Sequence, residues 1–112
     1  MTNGEIKKSE SLKLGKVIEY ANNSVIIKSI IRKSTGNVSI YSLDTGEEIV
    51  ERVSPFDTFI QIIEGDAEVI IDGKSNLLNT NESIIIPAHS INKIVANGRF
   101  KMLKTIIKCG YE

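Results

Sequence analysis

Between residues 25 and 107 the chain is a succession of short apolar runs, each closed within a few residues by Gly, Asn or Asp. Val25-Ile26-Ile27 and Ile30-Ile31 lead to Ser34-Thr35-Gly36-Asn37, and Val38 and Ile40 alternate with polar neighbours until Asp44-Thr45-Gly46. The run 59–63 ends at Glu64-Gly65-Asp66, and the run 67–71 ends at Asp72-Gly73. A Gly between two β-branched runs is a hairpin signal, because a tight hairpin turn needs positive φ. Residues 83–87, 91–96 and 99–107 complete the series. Many short strands with regular turns predict an antiparallel sandwich or barrel rather than a parallel α/β sheet. The pattern alone does not choose between the two.

The first 24 residues differ. Residues 1–10 are polar and predicted to fray. Leu14, Val17, Ile18 and Ala21 follow at i, i+3, i+4 and i+7, which predicts one short helix ended by Asn22-Asn23. At 112 residues the chain fits a single domain, a polar segment 1–24 followed by a β domain 25–112. Its 14 basic and 14 acidic residues cancel. That balance argues against non-specific nucleic-acid binding, which needs a basic face to release counterions. Lys7-Lys8 and Arg32-Lys33 are short enough to be solvated surface. The single Cys109 rules out an internal disulfide and suits a reducing cytoplasm. The polar start lacks a signal-peptide core, and no apolar run reaches the ~18 residues of a membrane span.

Two spacings stand out within the β domain. Gly46 is followed by five residues, Arg52-Val53-Ser54, three residues, Thr58, six residues and Gly65. Asn81 is followed by five residues, Pro87-Ala88-His89, two residues and Asn92. The pair resembles the two motifs of the cupin superfamily, G(x)5HxH(x)3E(x)6G and G(x)5PxG(x)2H(x)3N, over roughly residues 36–107. The resemblance implies an all-β, single-domain antiparallel jelly-roll barrel preceded by one short helix. Gly46, Gly65 and Pro87 keep the turn positions. Where the family places its metal-binding His, His, Glu and His, this chain has Arg52, Ser54, Thr58 and Asn92.

Those four side chains are expected to face the barrel mouth. None suits a transition metal: Arg stays protonated and repels a cation, and neutral hydroxyls and amides bind such ions weakly. The expectation is therefore no metal and no cofactor. Arg52 offers a hydrogen-bonding fork to a carboxylate. Phe56, Phe100 and Met102 add apolar lining, giving an apolar pocket with a few polar groups, as small-molecule sites usually are. His89, the only histidine, takes the Gly position of the PxG turn, and Asn81 replaces another Gly. Both residue types tolerate left-handed backbone. Asp57 is read as a turn cap.

Val25-Ile26-Ile27, Val69-Ile70-Ile71 and Ile84-Ile85-Ile86 are apolar on both faces. A lone barrel strand should alternate, so something covers the outer faces: the short N-terminal helix and, because one short helix cannot cover three such strands, a second copy in a homodimer. The function that fits is a metal-free, cytoplasmic small-molecule binding or sensing module, without nucleic-acid or membrane partners. The alternative is a cupin-type isomerase, decarboxylase or dioxygenase using a non-standard site.

Overall fold

A computed structural model describes residues 6–51 and 53–108, Glu51 by its backbone alone. The start of the polar stretch, residues 1–5, and Cys109 lie outside the described residues. Among the described residues nine strands carry the fold: β1 (Val25–Lys33), β2 (Gly36–Leu43), β3 (Glu48–Glu51), β4 (Thr58–Glu64), β5 (Ala67–Ile71), β6 (Lys74–Leu78), β7 (Ser83–Ile86), β8 (Asn92–Val95) and β9 (Phe100–Ile107). All pairings are antiparallel. They form a five-stranded sheet in the order β1-β2-β9-β4-β7 and a four-stranded sheet in the order β3-β8-β5-β6. The chain crosses between the sheets repeatedly, which makes this an all-β jelly roll. Its two sheets stack on each other and are not hydrogen-bonded into a closed barrel. No described helix is long and apolar enough to cross a membrane.

The core lies between the sheets. Leu43, Ile60, Ile62, Phe100 and Met102 from the larger sheet meet Val69 and Ile94 from the smaller, and none has exposed surface. Burial of that kind is the dominant favourable term in folding. Turn chemistry sets the register. Asp72 and Gly73 both take positive φ, 50° and 83°, the mirror-image turn that lets Ile71 pair with Lys74. Gly65 has φ 81°, and a Cβ there would run into the Arg99 carbonyl. Asn81 and His89, at φ 74° and 67°, take the left-handed backbone their motif positions require.

The N-terminal segment departs from the periodicity of its apolar residues. Helix α1 spans only Leu14–Val17, has no side-chain N-cap and gives way to extended backbone at Ile18. One turn is below the length at which a helix sustains itself. The sheet takes the carbonyls a longer helix would use: Gly15 O accepts from Lys101 Nζ, Val17 O from Lys28 Nζ and Glu19 O from Ser42 Oγ. The segment is thus a strap across the outer face of the larger sheet, with Ile18 buried beneath it at 4% exposure.

Candidate functional site

The motif spacing places its residues at the ends of strands that face each other. Thr58 opens β4 and Asn92 opens β8, one in each sheet. Ser54 sits in the loop 53–57 that joins β3 to β4. That loop is stitched to the turn before β8: His89 N donates to Ser54 O at 2.7 Å and Ala88 N to Asp57 Oδ1 at 2.8 Å. Asp57 is therefore a turn cap. Within the loop, Ser54 Oγ accepts from Phe56 N at 3.1 Å, and Ser90 Oγ bonds Pro87 O at 2.7 Å.

Ser54, Thr58 and Asn92 line one cavity of about 20 Å³, together with Lys104 and an apolar floor of Ile60, Ile86 and Ile94. That volume matches a single water. Thr58, Asn92 and Lys104 are 8%, 7% and 7% exposed. Asn92 Oδ1 is buried without a hydrogen-bond partner, the one such side-chain atom among the described residues. Orphaned buried acceptors are rare because each loses its hydration without replacement. Lys104 is paired across the strands with Ile60 and holds its ammonium 5.6 Å from the centroid of the Tyr41 ring.

The other expected lining residues fall elsewhere. Phe100 and Met102 are fully buried in the core and do not line this cavity, and half-buried Phe56 does not line it either. Core packing claims the first two because they stand opposite Leu43 and Tyr41 in the register. Arg52 lies outside the described residues. Lys104 was not anticipated, yet a signal existed: it continues the alternation that puts Phe100 and Met102 on the inner face of β9.

Compared by sequence alone, the chain matches no family model and no curated protein. Comparison of folds is informative. A cupin superfamily protein from Desulfitobacterium hafniense is 28% identical with a TM-score of 0.86, covering 93% of this chain and 95% of that one. The conserved SPY1581 protein of Streptococcus pyogenes is 25% identical with a TM-score of 0.87, over 93% and 91%. A cupin 2 conserved barrel domain protein from Leptotrichia buccalis is 26% identical with a TM-score of 0.83, over 87% of this chain and 47% of that one. With its jelly roll and its motif turns, the chain belongs to the cupin superfamily.

The metal ion implied by the family motif does not fit the residues present. The cavity offers two hydroxyls, an amide and an ammonium, and the ammonium opposes a cation in the same space. Among the described residues no group of three or more His, Cys, Asp or Glu is placed to hold one.

Proposed function

We propose that the protein is a metal-free cupin module that binds a small polar molecule at Ser54, Thr58, Asn92 and Lys104. The observation that carries this is the partnerless Asn92 Oδ1 at a buried polar cavity. An acceptor desolvated without compensation costs about 1–3 kcal/mol, and a ligand that donates to it recovers that cost. Lys104 adds positive charge to the lining, which suits a ligand that carries an anionic group. A ligand with both features carries a carboxylate beside a hydroxyl or N–H, as a hydroxy acid does. Arg52, at the mouth position of the motif, would add a second cationic contact.

The cavity must widen to admit such a molecule, and the loop 53–57 is the element that moves. It contributes Ser54 to the lining, and binding residues commonly sit on such connecting loops. The test is a thermal-shift screen of small hydroxy acids and dicarboxylates against the protein in the presence of a chelator. At least one is expected to raise the melting temperature by several degrees, and Asn92→Leu and Lys104→Met should each abolish the response. A panel without effect, or a shift that survives both substitutions, would contradict the assignment.

A further inference from the structure

The inner face of the larger sheet continues past the core toward the β1 edge. Tyr41 packs in the core, and Ser39 and Asn37 share its face of β2 at the two-residue spacing of a strand. The register carries that face across the sheet. Ser29 pairs with Ser39 and Ser39 with Lys104, while Arg32 pairs with Asn37, Asn37 with Ile106 and Ile106 with Thr58. Directly paired residues share a face, and Lys104 and Thr58 both line the small cavity. Ser29 and Arg32 therefore point to the same side although an odd number of positions separates them. A regular strand would set them on opposite faces. The irregularity between Ser29 and Ile31 supplies the extra residue that returns Arg32 to the inner side. There Arg32 Nη2 donates to Ser29 Oγ at 3.1 Å.

A third strand adds its end. Lys104, Ile106 and Lys108 alternate along β9 and just past it. Lys108 N donates to Thr35 O at 2.7 Å, which ties it to the turn between β1 and β2. Arg32, Lys33 and Lys108 thus meet Ser29, Asn37 and Ser39 around one open groove of about 590 Å³. In the sequence Arg32-Lys33 reads as solvated surface. The sheet order, with β2 between β1 and β9, brings Lys108 beside that pair. No carboxylate lines the groove. Among the described residues none of its three cations is in an ion pair, whereas Lys93, Arg99 and Lys101 each face an acid.

We propose that this groove binds the phosphate group of a small phosphomonoester. Cations gathered without a counter-charge repel one another, and a bound dianion relieves that repulsion. Arg32 offers the planar fork that matches two phosphate oxygens, and Lys33 and Lys108 add point charges. The serine hydroxyls and the Asn37 amide can donate to the remaining acceptors. A carboxylate, with two oxygens and one charge, leaves part of this set unmet. A phosphomonoester brings three acceptor oxygens and nearly two negative charges at neutral pH. The groove has the size of a small-molecule site, so the organic part of the ligand has room. Three cations on a chain of zero net charge do not make the extended basic face that a polyanion needs. None of these residues lines the cavity at Asn92, so the two sites are independent.

Calorimetric titration with inorganic phosphate and with glycerol phosphate, at ionic strength held constant with chloride, tests this. Both are expected to bind saturably at one site per chain in the millimolar range or below, and glycerol is expected not to bind. Arg32→Ala and Lys108→Met should each weaken phosphate binding about tenfold or more. Arg32→Lys keeps the charge without the fork and should fall between. Arg32 is exposed, so its removal should leave the circular dichroism spectrum unchanged. If Arg32→Ala nevertheless fails to fold, Lys33→Ala must produce the loss instead. Asn92→Leu should leave phosphate binding intact, and Arg32→Ala should leave the hydroxy-acid response intact, which separates failure of one site from failure of the other. Absence of saturable phosphate binding overturns the proposal, as does binding that survives both Arg32→Ala and Lys108→Met. Tighter binding of a short RNA or of vesicles containing an anionic lipid than of glycerol phosphate, lost in Arg32→Ala, also overturns it by assigning these cations to a polyanion.

Discussion

Asn92 begins a strand, occupies a motif position and buries a carbonyl oxygen with no donor to meet it. Replacing it by Leu removes the orphan and fills the adjoining space, so Asn92→Leu is expected to stabilise the unliganded protein by about 1 kcal/mol while removing its binding response. Chemical denaturation measures the first effect, and a loss of stability would show that Asn92 is structural. A second residue-scale expectation concerns acid. Arg99 Nε donates to Asp44 Oδ1 at 2.7 Å and Asn23 N to Oδ2 at 2.7 Å, and these bonds lower the carboxyl from 3.8 to about 2. A folded-state value below the unfolded one means that stabilisation is complete above about pH 4 and is lost as pH falls toward about 2. Glu68, lowered by hydrogen bonds from Ser75 and Asn97, acts in the same direction. Thermal melts across this window should show Asp44→Asn with a shallower acid limb than the parent, and an identical limb would contradict the linkage.

At the level of elements, legibility followed burial. Strands with both faces apolar, such as β4 and β5, were plain in the sequence because the core selects Val and Ile there. β3 (Glu-Ile-Val-Glu) and β6 (Lys-Ser-Asn-Leu-Leu) were not, since both are edges of the smaller sheet. Edge strands tolerate and even favour charge, so their composition resembles that of loops. Helix α1 was overestimated because the spacing of Leu14, Val17, Ile18 and Ala21 says nothing about who accepts the backbone carbonyls' bonds. The sheet settles that through Lys101, which is 7% exposed and also lies 5.0 Å from the Tyr20 ring centroid. Tyr20 in turn donates to Glu64 at 2.7 Å, and burial with that bond pushes its hydroxyl pKa upward. Lys101→Met keeps the stem and loses the donor. It should cost about 1–3 kcal/mol and speed amide exchange in residues 14–20, whereas unchanged exchange would mean that Ile18 and the bonds from Lys28 and Ser42 secure the strap without it.

The whole molecule separates its tasks by face. The space between the sheets supplies the core and, at the ends of β4 and β8, a polar cavity. One outer face is strapped by the chain's own N-terminal segment at one half and left apolar at the other. The turns of the motif persist although its ligand residues are replaced, because Gly46, Gly65, Asn81 and His89 all supply the positive-φ backbone there. Ser54, Thr58 and Asn92 carry no such backbone requirement. That is why the sequence identified the fold and left the site half described. Lys104, which belongs to no motif, completes the cavity from a neighbouring strand. The central claim is that this cupin binds an organic ligand without a metal. Calorimetric titration of the protein with the best hydroxy acid from the screen, performed in excess chelator, tests it most directly. The account predicts one site per chain with the same affinity after iron, manganese, nickel or zinc replaces the chelator. Binding that appears only when one of these metals is added would contradict it.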